Sequence, residues 1–242
     1  MSVHLVGGGT FEPTDATAPI WAGFRDEAAA HAARAGREVP RIAVITARSG
    51  DPAAQAVKIV ALLEGAGPVE ARTTVVLAAE AAVSAAALAD VDGVVVGGGH
   101  APSYRAAVEP VFGELRRQVA AGVPYLGFSA GAMIAAERAI IGGRRIGGVV
   151  VSPEPGDQEL DEVTIAPGIG LVDVAIEVHV AQWGALSRLV AAVEAGLVEG
   201  GLGIDEDTAL VVGDGGLRVV GAGSVWRVLP GEQGVVVATM GA

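Results

Sequence analysis

Ser129 stands in Gly127-Phe128-Ser129-Ala130-Gly131, between the apolar run Val123-Pro124-Tyr125-Leu126 and a helix-forming stretch. A serine at such a strand-to-helix turn can act as a nucleophile. Small residues two positions before and after it let the chain reverse tightly and leave Oγ projecting. Attack on a carbonyl also needs a base, because a serine alkoxide does not exist at neutral pH. Four histidines are available, at positions 4, 31, 100 and 179. His4 falls inside the first apolar run and His31 inside an alanine-rich helix, which suits structural or solvated roles. His100 follows Gly97-Gly98-Gly99 in a loop. His179 stands at a strand-to-helix junction that can hold an imidazole firmly, and it is the preferred base.

A carboxylate must then fix the imidazole tautomer. Glu177 lies two residues before His179, hence on the same side of a strand. Glu206 comes from another strand end, within Asp205-Glu206-Asp207, a run that also reads as a solvated acidic turn. Both glutamates stay open as the third member. The Ala130 N–H is the expected first donor to a developing oxyanion, assisted by the dipole of the helix that follows. A backbone N–H of Gly98 or Gly99 is the expected second donor. With 36 glycines in 242 residues, a glycine-flanked serine is a weak signal without its context.

That context is an alternation of strands and helices. Apolar runs ending in glycine turns, Ser2–Gly8 and Val91–Gly99, and the runs Arg41–Ala47 and Val123–Phe128 read as buried strands. A further strand is expected over 70–77. Helices are expected over 18–36, with Gly36 as the stop, and over 51–67, with Asp51 as N-cap and Pro52 in the first turn. Others are expected over 80–90, over 105–122 and after Ser129. Residues 171–180 read as a strand and 181–196 as one helix. The last third reads as short strands joined by glycine turns, ending in an antiparallel hairpin edge. Such alternation predicts an α/β fold with a mostly parallel sheet covered on both faces, in one domain over 1–242. In a parallel sheet, loops after the C-terminal strand ends gather on one face. Gly97–His100, Ser129 and His179 all fall at such ends.

Composition removes several function classes. A net charge of −12, with no basic run longer than two residues, argues against nucleic acid and an anionic membrane surface as partners. The absence of cysteine removes disulfides, thiolate metal sites and cysteine nucleophiles. The window 118–136 is uncharged and near spanning length, but Pro124, three glycines and Ser129 argue against a membrane helix. The opening residues lack a basic segment and a long apolar run, so a cytoplasmic protein is expected. No strand is followed by a dinucleotide fingerprint, the one lysine, Lys58, lies within a helix, and no zinc motif occurs.

Four ordered stretches, "VVVGGGH", "GFSAGA", "GIGLVDVAIEVHVAQWGALSRL" and "GLGIDEDTALVV", together resemble the cyanophycinase and aspartyl dipeptidase (peptidase E) family of serine peptidases. The likeness extends to "AVITARSGDP" and "GAGSVWRV". It implies a class I glutamine-amidotransferase-like fold with serine in place of the amidotransferase cysteine, and cleavage next to aspartyl residues without metal or organic cofactor. It places the nucleophile at Ser129, the base at His179 and the carboxylate at Glu206, ahead of Glu177. The order Ser, His, Glu differs from that of α/β-hydrolases, which would need an acid between the two, such as Asp157, Asp161 or Asp173.

Departures from the family pattern cluster at substrate-recognition positions. His100 replaces the usual Gln or Asn after the glycine triplet. Around the base, Trp183 and Ala185 stand where cyanophycinases resemble one another in carrying arginines, whereas Arg188 is kept. His100, Trp183 and Arg188 are therefore the expected substrate-binding residues. Trp183 is expected to offer an apolar face, and His100 a donor near the scissile carbonyl. A small peptide or related amide is the expected substrate, less acidic than cyanophycin. The alternatives are an esterase, or a catalytically silent member that binds a ligand or partner through the same pocket. A homodimer is an admissible assembly.

Overall fold

The computed structural model describes residues 2–47, 50–77, 81–156 and 158–241. β1 (Ser2–Val6), β2 (Arg41–Ala47), β3 (Glu70–Val76), β4 (Gly93–Val96) and β5 (Tyr125–Phe128) form the parallel part of a seven-stranded sheet. β-branched residues on both strand faces explain its place at the centre. Ala43 and Ile45 of β2 join one apolar cluster, while Ile42 and Val44 join the other. The second cluster is closed by α1 (Ala18–Arg34) and α2 (Pro52–Ala66) through Trp21, Phe24, Ile59 and Leu63. The first is closed by α3 (Ala101–Val108), α4 (Phe112–Ala120) and α5 (Ala130–Met133), through residues such as Tyr104, Leu115 and Met133. The sheet is thus covered on both faces.

Two short antiparallel pairs follow: β6 (Arg138–Ile140) with β9 (Ile165–Pro167), and β7 (Arg145–Ile146) with β8 (Val149–Val150). Next come β10 (Ala175–Val178), α6 (Val180–Trp183), α7 (Leu186–Glu194), β11 (Gly201–Ile204), β12 (Thr208–Gly213), β13 (Gly216–Gly221), β14 (Ser224–Gly231) and β15 (Gly234–Gly241). The seven strands run in the order β13-β12-β1-β5-β4-β2-β3, and a second sheet runs β10-β11-β14-β15. The C-terminal strands therefore make two antiparallel hairpins, one extending the main sheet beside β1 and one completing the second sheet. Ile176, Ile204 and Val225 of the second sheet join the same apolar cluster as the main sheet.

Caps and breakers act where their chemistry predicts. Asp51 accepts the Ala54 N–H at 2.9 Å, and Gly36 leaves α1 with φ +75°. Several expected elements are shorter than their patterns. The helix expected over 105–122 starts earlier, at Ala101, and is broken at Pro110, where a 3₁₀ turn spans Glu109–Val111. The helix over 181–196 divides at Gly184, whose φ is +68°. Of the helix expected over 80–90, the described part forms only a 3₁₀ turn at Ala85–Leu88. Its alanines and serine supply few side chains to bury, here Val83 and Leu88. Glu80 lies outside the described residues. The helix after Ser129 is a single turn, so its dipole contributes less than a long helix would. Residues 130–136 are buried throughout, so packing rather than amphipathic periodicity decides their path. The uncharged window 118–136 is the end of α4, β5 and α5, and no described helix is long and apolar enough to cross a membrane.

Candidate active site

The site is assembled around the end of β1. Three successive carbonyls there accept backbone N–H groups at 2.9 Å each: Val6 from Ser129, Gly7 from His179 and Gly8 from Asp207. So close an approach is possible only because Gly7-Gly8-Gly9 carry no Cβ. A methyl at Gly7 would overlap the Asp205 carbonyl, one at Gly8 the His179 ring, and one at Gly9 the Asp207 carboxylate. Sequence reading assigned this triplet no role beyond ending a strand. The signal was present, since a second glycine triplet after a strand, Gly97–Gly99, flanks the serine.

Ser129 follows β5 with φ +52° and ψ −110°, a conformation disfavoured for any residue with a Cβ. Surrounding contacts hold it there. Gly131 approaches the Val96 and Gly97 carbonyls too closely for a side chain, and Gly127 likewise approaches the Gly131 backbone. Gly98 lies alongside, where an added Cβ would fall 2.8 Å from that of Ser129. The N–H groups of Gly98, Gly99 and Ala130 make no hydrogen bond among the described residues.

His179 also has a positive φ, +53°, at the junction between β10 and α6. Its Nε2 lies 2.8 Å from Ser129 Oγ and its Nδ1 2.6 Å from Glu206 Oε1. A carboxylate only accepts, so Nδ1 carries the proton and Nε2 presents a lone pair to the serine O–H. Glu206 is itself held by its backbone N–H, which donates to Gln182 Oε1 at 3.0 Å. Gln182 is a second residue that sequence reading missed. Burial, the largest influence, pushes the imidazole below its ordinary value; the hydrogen bond to Glu206 and the charges of Glu206 and Glu177 act the other way. The ring is neutral at pH 7.

Glu177 is fully buried and faces a different partner. Its oxygens receive Arg188 Nε at 2.7 Å and Nη2 at 2.8 Å, and Arg188 also donates to the carbonyls of Gly143 and Gly156. Arg188, 2% exposed, is thus an internal tie between β10 and α7. Trp183 lies against the imidazole. Its ring lies parallel to that of His179, with centroids 3.8 Å apart and planes 5° apart, opposite the face of Gly8. The imidazole is therefore sandwiched between an indole and a glycine. His100 bonds through Nδ1 to Ser103 Oγ at 2.8 Å and through Nε2 to the Gln158 carbonyl at 2.9 Å. Both ring nitrogens are engaged, so His100 ties the start of α3 to the segment after the 3₁₀ turn at 154–156.

The three acidic residues of the β11–β12 turn divide by environment. Asp205 is buried and accepts the N–H groups of Ala181 and Ser224 and the Trp226 indole N–H. Asp207 accepts the Thr10 N–H, and Glu206 alone reaches the imidazole. Of the acids required by the hydrolase order, Asp161 pairs with Arg145 at the surface and Asp173 is exposed. Asp157 lies outside the described residues, as do Arg48 and Ser49 of the "AVITARSGDP" stretch.

The sequence profile of Peptidase family S51 matches residues 46–220. Cyanophycinases of Synechococcus elongatus and of Thermosynechococcus vestitus are each 40% identical to this chain over 124 residues, and that of Trichormus variabilis is 37% identical over 126. The matched stretch is 50% of this chain and 36% of the first two relatives, so it spans about a third of their length. A crystal structure of a protein from Listeria monocytogenes EGD-e, assigned to peptidase E, superposes with a TM-score of 0.55 at 13% identity. It covers 92% of this chain and 98% of that one, a likeness of fold. The profile spans most of the chain, including the strand ends that carry Ser129, His179 and Glu206: the chain belongs to peptidase family S51.

Proposed function

We propose that this chain is a serine hydrolase that cleaves a small peptide or related amide through an acyl-enzyme at Ser129. The carrying observation is the unbroken relay from Ser129 Oγ to His179 Nε2 and from Nδ1 to Glu206, at 2.8 and 2.6 Å. Oγ attacks the substrate carbonyl carbon while its proton passes to Nε2, and Glu206 stabilises the imidazolium that forms. The carbonyl oxygen, now an oxyanion, is received by the Ala130 N–H and an N–H of the Gly98–Gly99 segment. Collapse breaks the C–N bond, and the leaving amine takes the proton from Nε2. Water then repeats the attack on the acyl-enzyme and frees Ser129. A fluorophosphonate probe tests the reading without a guess at substrate: stoichiometric labelling of Ser129 is expected. Folded protein that resists it would favour a silent, ligand-binding member.

The acid limb of the rate profile follows from the lowered His179 value. Only the neutral imidazole accepts the serine proton, so kcat/KM is expected to be full at pH 7 and to fall as pH drops through a midpoint below 6.5. An acid limb centred above pH 7 would contradict this. The sign for stability is the same: the folded state resists protonation of this ring, so its contribution is present above the unfolded value and is lost as pH falls.

The substrate is less acidic than cyanophycin. Trp183, stacked on the base, and the buried Ala185 stand at the two positions where the resemblance implies arginines, and Arg188 is committed to Glu177. Two charge-assisted hydrogen bonds of about 1.5–3 kcal/mol each would be missing, equivalent to about two to four orders of magnitude. A β-Asp-Arg dipeptide should therefore show a kcat/KM at least about tenfold below a neutral dipeptide or ester. Preferred hydrolysis of the β-Asp-Arg substrate would reverse the assignment.

A further inference from the structure

Gln55 lies on the first turns of α2, remote in sequence from the relay, yet its side-chain amide is held against the glycine turn beside Ser129. Its Nε2 donates to the Gly98 carbonyl at 2.8 Å, and its Oε1 accepts the Tyr104 hydroxyl at 2.7 Å. Gly97 has no room for a Cβ beneath this pair: one would lie 2.6 Å from Gln55 Oε1 and 3.0 Å from the Tyr104 oxygen. Tyr104 is fully buried, and burial pushes its hydroxyl up to about 12, so it is a proton donor throughout the working range. The amide therefore has one orientation. Flipping it would set an oxygen against the Gly98 carbonyl and an N–H against the tyrosine proton.

That orientation fixes a peptide plane. The Gly98–Gly99 bond is trans, so the Gly99 N–H points opposite to the Gly98 carbonyl, away from Gln55. Gly98 itself lies against Ser129 on one side and is bonded to α2 on the other. Glycines with a positive φ such as Gly99, at +149°, rotate freely unless something external holds them. We infer that Gln55, locked by Tyr104, is a positioning residue that aims the Gly99 N–H at the oxyanion formed on attack by Ser129. The inference rests on the serine-hydrolase reading and deepens it by assigning the second oxyanion donor and the residue that orients it.

Gln55→Glu keeps the side-chain volume and the acceptor for Tyr104 but removes the N–H given to Gly98. The variant should react with a fluorophosphonate probe, and turn over p-nitrophenyl acetate, about 10- to 100-fold more slowly than wild type. The upper end approaches the cost of deleting an oxyanion donor outright. The loss should fall on kcat with KM unchanged, and the acid limb should stay in place because His179 is untouched. Gln55→Leu should behave alike and serves if the glutamate variant does not fold. Tyr104→Phe should slow the reaction about two- to tenfold alone, and not further in the Gln55→Leu background, since both act through one carbonyl. Wild type that labels, with Gln55 variants reacting within twofold of it, would overturn this assignment alone. Wild type that resists the probe would overturn the serine-hydrolase reading and this assignment with it.

Discussion

Ser129→Ala is expected to abolish fluorophosphonate labelling and to lower kcat by about four to six orders of magnitude while leaving the fold intact. The size follows from what is removed. In the proposed reaction Oγ is the atom that forms the covalent bond, and without it His179 has nothing to activate except water. The Ala130 and Gly98–Gly99 donors remain and leave some residual stabilisation. Stability should not fall, because Ser129 holds its positive φ, +52°, at a cost that alanine shares, and the serine is 8% exposed with its Oγ bonded, among the described residues, to His179 alone. Thermal unfolding should show a Tm within a few degrees of wild type. His179→Ala should reduce labelling sharply by removing the acceptor of the serine proton. Retention of wild-type labelling in Ser129→Ala would place the nucleophile elsewhere.

Glu206→Gln is expected to lower kcat by about 10⁴-fold with KM nearly unchanged, the loss typical of a misoriented tautomer. The carboxylate accepts Nδ1–H at 2.6 Å and so keeps the Nε2 lone pair on Ser129. An amide in its place can donate to Nδ1, which favours the other tautomer and turns a proton toward the serine. It also withdraws the negative charge that stabilises the imidazolium. Glu177→Gln provides the contrast. Glu177 pairs with the buried Arg188 guanidinium through both oxygens, and removing its charge breaks that buried pair at a cost of about 3–5 kcal/mol of stability. Urea denaturation should report that loss, whereas kcat per folded molecule should change far less than in Glu206→Gln. A larger kcat loss in Glu177→Gln would transfer the orienting role to it.

The strands and the residue types that meet at the site were legible because both are local. Apolar runs announce β1, β2, β4 and β5, two of them ended by glycine turns, Asp51 and Pro52 announce α2, and a serine between two spaced glycines marks a strand-to-helix turn. The residue types that can activate it were few enough to narrow the base to two histidines. Element lengths were less legible, because propensity and pattern do not report what a segment packs against. Pro110 and Gly184 divided helices that read as continuous, and the stretch after Ser129 leaves its helix after one turn because it is enclosed on all sides.

Side-chain partnership was decided by tertiary structure alone. Glu177 and Glu206 are the same residue type, each close to His179 in space or sequence, and pairing with Arg188 removes one of them from the relay. Arg188 and Trp183, on neighbouring helices, both read as substrate-facing, yet one is drawn inward by a buried carboxylate and the other lies flat on the imidazole. The glycine triplet after β1 and Gln55 carry no chemistry that composition can reveal. The triplet's role arises because β1 lies between β5 and β12 in the sheet, which brings residues more than 120 positions apart onto three consecutive carbonyls, and Gln55 meets Gly98 across the neighbouring strands β2 and β4. Hydrogen-bond geometry of that kind is a property of strand order, and strand order is set by the burial of whole elements, not by any stretch of sequence read singly.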